Sequence, residues 1–380
     1  MTTQRVIVTG AGIAGLAAAL RLHRAGWDVL VLERAAERRS SGYLLNLHGP
    51  GYDAAERLGL LPALRAKDIG FFTSTLVHPD GREKFTIPAA VAQQAVGARA
   101  LSLFRGDLET ALYEAVSATV DLRFDTTVHS LEQDPDGVEV TLSDGSTERA
   151  DLLIGADGVH SAIRALAFGP ETDYLLDLEH MVAAFPLTDV SDHVAEGTGA
   201  TFLGPRRTAA VMNLGPGRSS AFFTYRGYDT HARPALTTAF GDLGGGIAHA
   251  LHQLPDDAYF DTVGQIVMDH WHHGRVVLLG DAAWCVTVFA GYGAALALHG
   301  ADHLGATLTA HPGDLPAALT AWETALRPEV TKRQALARKG IARFAPPTTY
   351  HVQMSELMLR TIALPGIRHL VARAIRRANN

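Results

Sequence analysis

Cysteine is all but missing from this 380-residue chain: Cys285 stands alone, which excludes an internal disulfide framework and fits a reducing compartment. Charge is scarce too, at 19%, against 47% hydrophobic residues. That balance excludes a disordered chain and allows two packed cores. Cations do not dominate. With a formal net charge of -7, a generic nucleic-acid binder is not expected, because such binding rests on clustered Lys and Arg. No apolar run is long enough to cross a bilayer, so no membrane insertion is expected. No charged-then-apolar leader precedes the first strand pattern, and neither internal repeats nor low-complexity segments occur. What these absences leave is a cytoplasmic two-domain enzyme or binder.

What is present begins with short buried strands. Val6-Ile7-Val8 runs straight into a glycine turn, then alanines and leucines recur at helical spacing over 13–25, and Gly26 stops them before a second apolar run over 29–32. Apolar runs joined through a helix predict a parallel sheet covered on both faces. Strand-like pieces at 74–78 and 84–87 flank the turn Pro79-Asp80-Gly81, and a helix is predicted over 107–116. The alternation over 128–131 and 138–142, with the turn Ser143-Asp144-Gly145-Ser146, reads as a hairpin. Residues 152–154 and 276–279 return to the buried style, whereas 180–187, 200–203, 209–214 and 220–225 predict an open antiparallel sheet. The fold class is α/β. A Rossmann-type nucleotide domain (1–70, 98–171 and 270–314) is interleaved with a sheet domain (71–97 and 172–269). A helical segment over 315–380 follows, broken at Pro346-Pro347 and Pro365-Gly366.

Gly10-Ala11-Gly12-Ile13-Ala14-Gly15 lies between strand and helix, where a phosphate-binding loop belongs. Gly10 permits the tight turn, Gly12 lets the backbone approach a pyrophosphate, and Gly15 lets helix and strand pack closely. Glu33, at the end of the second strand, suits an unphosphorylated adenosine ribose. Two further blocks follow. One is Asp151-Leu152-Leu153-Ile154-Gly155-Ala156-Asp157-Gly158 with Ser161 and Arg164; the other runs from Gly274 through Gly280-Asp281-Ala282-Ala283 into Gly291-Tyr292-Gly293. With these three blocks in this order, the chain resembles the FAD-dependent aromatic hydroxylases typified by para-hydroxybenzoate hydroxylase (group A flavin monooxygenases). The likeness is closer to the tetracycline-degrading and polyketide-modifying branch, which also shows a segment like 42–49 followed by a helix like 51–60. It covers nearly the whole chain and is weakest over 172–269.

The resemblance implies FAD as cofactor, with NADPH or NADH and O2 as co-substrates. It implies hydroxylation, through a flavin C4a-hydroperoxide, of a ring-bearing, fairly apolar small molecule of the secondary-metabolite type. Carried over by position, Gly10, Ala11, Gly12, Ala14 and Gly15 would cradle the diphosphate, and Glu33 and Arg34 would hold the adenosine ribose. Asn46 stands where the tetracycline-degrading enzymes have an acidic flavin contact, and Arg105 would neutralise the pyrophosphate. Asp157 and Gly158 fall in a motif tied to both FAD and the nicotinamide nucleotide, and Asp281 would accept from the ribityl chain. Gly291, Gly293 and Ala294 would turn backbone amides and a helix end toward the pyrimidine side of the flavin. Arg39 is the candidate for the nicotinamide nucleotide's phosphates, with a solvated charge among Arg34, Arg38 and Arg39 as the competing reading.

No catalytic side chain is assigned, since the flavin carries the hard chemistry. Candidate substrate walls are Phe185, Met212, Phe222, Tyr225 and Phe289. Against the family pattern, Trp284, Cys285, Val286, Thr287 and Val288 replace a histidine and prolines, Tyr292 replaces Gln, and Ala295 replaces Asn. These changes fall beside the expected flavin ring. They motivate an alternative of the same fold that does not oxygenate (an FAD-assisted cyclase or dehydrogenase), and beyond it a non-catalytic flavin-binding partner. His270-Trp271-His272-His273 is not read as a metal site, because neighbouring side chains diverge. Gly244-Gly245-Gly246 follows no buried strand and is not read as a second dinucleotide loop. The basic residues Arg360, Arg368, Arg373, Arg376 and Arg377 are read as the wet face of a docked helix.

Overall fold

The computed structural model describes residues 3–38 and 43–364. A six-stranded sheet runs in the order His272–His273, Val276–Leu278, Leu152–Gly155, Arg5–Thr9, Asp28–Leu32 and Asp121–Arg123. Its inner strands are parallel, with Val6 beside both Leu152 and Val29; the short His272–His273 edge alone is antiparallel. Val6, Ile7 and Val8 are fully buried, as are Leu152, Leu153 and Ile154, because helices cover both faces. The first helix, Ile13–His23, ends two residues short of the expected limit, and Gly26 (φ +88°) turns the chain into the next strand. It packs against the helices Arg105–Val116 and Gly293–Ala310.

The second layer is a seven-stranded sheet in the order Tyr259–Ile266, Leu175–Leu187, Ser219–Arg226, Arg207–Asn213, Thr198–Gly204, Thr73–Val77 and Glu83–Ile87. It departs from the expected sheet in two ways. The pairing of Thr198–Gly204 with Thr73–Val77 is parallel, so the sheet is mixed. Two helices unseen in the sequence, Ala232–Phe240 and Gly245–His252, cover its outer face. Gly244 and Gly245 let the second of these start against the turn at Gly81: a Cβ on Gly81 would sit 2.8 Å from the Gly245 Cα.

Strand periodicity sorts this sheet into two faces. Met181, Ala183, Phe185, Ala221, Phe223 and Tyr225 join Leu236 and Phe240 in the outer core. Val182, Val263 and Phe222 face inward, where they meet Phe289, Ile341 and Phe344. The 30-residue helix Leu315–Phe344 packs on Gly293–Ala310 and brings Ile341 and Phe344 to the inner face of the mixed sheet, and Thr349–Ala363 follows after Pro346-Pro347. Behind the parallel sheet, Trp271, Trp284 and Trp322 form a buried trio with ring centroids 4.6 to 5.9 Å apart. Pro365-Gly366 and the basic residues beyond lie outside the described residues.

Candidate functional site

A cleft of about 440 Å³ opens where the parallel strands end, between them and the sheet-edge strand Tyr259–Ile266. Thirteen of the expected cofactor positions line it: Gly10, Gly12, Ala14, Glu33, Arg34, Asn46, Arg105, Asp157, Gly158, Asp281, Gly291, Gly293 and Ala294. Ala11 and Gly15 stand just behind. Ala11 donates its backbone N–H to Glu33 Oε2 (2.7 Å), while Ala35 N–H reaches Oε1 (2.8 Å), so the carboxylate is already oriented at the end of its strand. A Cβ on Gly15 would come within 1.9 Å of the Gly10 carbonyl oxygen, and one on Gly10 (φ +94°) within 2.5 Å of Ala156 O. Gly12, by contrast, faces open space.

Two helix ends meet at this cleft, and neither carries a side-chain cap: Ile13–His23 begins after Gly12, and Gly293–Ala310 begins after Tyr292. Their first amides are therefore open to an anion or an acceptor. Asp281 sits at the second end; a Cβ on Gly293 would lie 3.7 Å from its Oδ1. Burial raises the Asp281 pKa, and Arg105 opposes the rise. Arg105 pairs with Glu109 (2.7 Å), and its guanidinium lies 5.7 Å from the Tyr43 ring. Asn46 Oδ1 accepts from Ser102 Oγ (2.8 Å) across the small sheet Leu44–His48 with Ala100–Phe104.

The second block is organised for support. Asp157 accepts from Ser161 Oγ (2.5 Å) and from the backbone N–H groups of Ala162 (2.7 Å) and Ile163 (3.1 Å). Fully buried Arg164 donates to Ala282 O (3.0 Å), Val159 O (2.6 Å) and Glu171 Oε2 (2.7 Å), tying the second block to the third. His160 reaches across the cleft rim, 3.0 Å from Glu171 and 3.4 Å from Asp261 on the sheet edge. Hydrogen bonds to Asp261 and then Glu171 hold its pKa up at about 9, against the opposing effect of burial.

Several expectations need correction. Phe185 and Tyr225 lie in the outer core, on the face away from the cleft, because strand side chains alternate and the outer face is buried as well. Phe222 and Phe289 share the inner face, and Met212, one residue on from outward-facing Val211, points the same way. None of the five lines the cleft itself. Arg39 lies outside the described residues.

The unusual third-block residues divide by direction. Trp284 turns back into the tryptophan trio, while Cys285 to Val288 face the cleft. Burial pushes the Cys285 thiol well up, so it stays protonated. At Ala295 the helix Pro50–Arg57 crosses closely: a Cβ on Gly51 would meet the Ala295 Cα at 2.4 Å, so position 51 has room only for glycine. Tyr292 is buried, with the Arg333 guanidinium 3.8 Å over its ring.

Sequence reasoning missed Tyr43, His160, Tyr259 and Asp261, all of which line the cleft. Tyr43 and Tyr259 come from opposite layers and bring their rings within 6.1 Å. Tyr43 stands in the 42–49 segment noted for the resemblance but without a role there, and no local pattern marks Tyr259. Among the described residues, no helix is long and apolar enough to cross a membrane, and no group of three or more His, Cys, Asp or Glu is placed to hold a metal ion.

Comparison with known proteins agrees with this geometry. The family model described as an FAD binding domain matches residues 3–314. The FAD-dependent monooxygenase asL6 of Sarocladium schorii is 31% identical over 375 residues, covering 90% of this chain and 88% of the relative. Among solved structures, tetracycline destructase Tet(51) superposes with a TM-score of 0.81 at 26% identity, covering 98% of both chains. Klebsiella pneumoniae HpxO, solved with FAD and uric acid, gives 0.81 at 25% identity over 98% of this chain and 96% of that one. The chain thus belongs to the FAD-binding-domain family of flavin-dependent monooxygenases.

Proposed function

We propose that this protein is an NAD(P)H-dependent FAD monooxygenase that hydroxylates a ring-bearing, fairly apolar small molecule. The observation that carries the reading is the convergence of two uncapped helix ends on one cleft, with Glu33 at one extremity and Asp281 at the other. These residues fit an extended dinucleotide. The open space at Gly12 and the free amides after it suit a diphosphate, which Arg105 neutralises; Glu33 takes the adenosine ribose, and Asp281 the ribityl hydroxyls. At the far end, the amides of 291–294 stabilise negative charge on a reduced ring.

When bound, the flavin supplies reductive activation of dioxygen, with electrons from a nicotinamide nucleotide. The chain's own contribution is to hold the ring, exclude water and offer an apolar wall. Val182 and Val263 are cleft residues on the inner face, with Phe222 and Phe289 behind them. A related protein solved in complex with FAD and uric acid supports a ring-bearing substrate.

Gently purified protein is expected to be yellow, with one FAD per chain. Ring-bearing metabolites screened for faster NADPH or NADH oxidation should yield one that gains an oxygen atom from 18O2. Colourless protein that takes up no added FAD would overturn the cofactor reading. Substrate-dependent turnover with no label in the product would favour the non-oxygenating alternative.

A further inference from the structure

The loop 285–292, between the helices Asp281–Trp284 and Gly293–Ala310, does not hold its own shape. Thr287, a β-branched residue, sits at φ +78° and ψ 150°, a region that glycine tolerates and threonine does not. Within the loop the backbone closes only the small turns from Ala290 N–H to Thr287 O (3.1 Å) and from Gly291 N–H to Val288 O (3.0 Å).

The carbonyls just before Thr287 are taken up from outside: the sheet-edge strand itself donates Ile266 N–H to Cys285 O (3.1 Å), and two side chains add to it. Gln334, on the long helix, donates Nε2–H to Ile266 O (2.7 Å) and to Cys285 O (3.4 Å). Gln265, fully buried on the sheet-edge strand, donates to Val286 O (3.2 Å) and to Gln334 O (3.1 Å), and its own Oε1 accepts from Arg338 (2.5 Å). Two buried amides thus pin the chain immediately upstream of its strained residue. Removing Gln265 leaves Val286 O without its donor; removing Gln334 leaves Ile266 O without its side-chain donor and Cys285 O with the Ile266 N–H alone (3.1 Å).

We infer that Gln334, acting with Gln265, is the positioning residue that keeps loop 285–292 in its strained form and so aims the amides of 291–294 at the flavin. This rests on the FAD reading above. If the pin is released, Thr287 relaxes toward negative φ, the amides swing away, and reduced flavin loses more stabilisation than oxidised flavin does.

The test uses the FAD-loaded full chain. Gln334→Met keeps the side-chain length without a donor, and Gln334→Glu keeps the shape while losing the Nε2 donor. Both should bind reduced FAD about tenfold more weakly relative to oxidised FAD. That lowers the midpoint potential by about 30 mV for a two-electron couple. Thr287→Gly, which accepts the loop's φ without strain, should recover most of the shift in the Gln334→Met background; the double-mutant cycle isolates the coupling.

An unchanged midpoint in both Gln334 variants would overturn the inference, as would a shift that Thr287→Gly leaves in full. Should the Gln334 variants fail to fold, Arg338→Met, which loosens Gln265 alone, should still weaken reduced-FAD binding a few-fold relative to oxidised FAD and so lower the potential. No change there would also overturn it. Wild-type protein that takes up no FAD would instead sink the reading of the site itself.

Discussion

The two helix ends that open onto the cleft are built by opposite means. At the first, the turn itself lies within a few residues, with Gly10 at φ +94° and Gly15 against the Gly10 carbonyl. Its remaining partners, Glu33 on the Ala11 amide and the Ala156 carbonyl against Gly10, sit at the ends of neighbouring strands of the same sheet. At the second, the chain arrives through a threonine at positive φ. It is held by partners far off in sequence, namely Gln265, Gln334, Arg333 over Tyr292, and Phe344 stacked 4.8 Å from Phe289. The first end is fixed by backbone stereochemistry as soon as strand and helix meet. The second exists only after the mixed sheet and the long helix have docked. A loop supported in this way can be retuned by substitutions that never touch the cleft.

The contrast is most severely tested at Gly15. A Cβ there overlaps the Gly10 carbonyl, and neither group is a movable side-chain tip. Gly15→Val should therefore cost more than about 100-fold in FAD affinity, or about 2.7 kcal/mol. FAD content after purification and titration with added FAD measure it, and wild-type content would break the distinction.

Arg164→Met should act next most strongly, and on the second end. The guanidinium is fully buried and bridges Val159, Glu171 and Ala282, so removing it leaves Glu171 without its buried partner. A loss of about 2 kcal/mol in urea unfolding is expected, from two buried carbonyls losing the Arg164 donor while Glu171 keeps His160; an unshifted midpoint would show that the second and third blocks do not depend on one another.

The smallest effect belongs to His160, which joins the layers at the rim. Its pKa is raised to about 9 in the folded chain, above an unfolded value near 6.5. The stabilisation is therefore fully present below about pH 6.5 and is lost as pH rises through about 9. His160→Gln should lower Tm slightly at pH 6 and not at pH 10, by little because the ring is half exposed. A difference that does not depend on pH would remove the ion pair from the account.

What the sequence made legible follows the same division. The glycine turn, Glu33 and the parallel strands around them could be read because each depends on near neighbours. Phe185 and Tyr225 were misplaced because both faces of the mixed sheet are buried, and hydrophobicity then says nothing about which way an alternating strand points. Gln265 and Gln334 gave no signal at all. A glutamine in a strand or a helix reads as surface until the backbone carbonyls it serves are brought to it. The same applies to Gly51, whose missing side chain is required by Ala295 on a crossing helix. Trp284 looked like a change beside the flavin, but its side chain points the other way.

The tryptophan trio has a practical consequence. Three of the chain's four tryptophans sit in one knot directly behind Cys285, shielded from water, so ultraviolet-excited emission from this protein comes largely from a single place. A yellow chromophore seated in front of that knot would drain its light by energy transfer. Docking and loss of the cofactor can thus be followed from the protein's own glow, with no label attached.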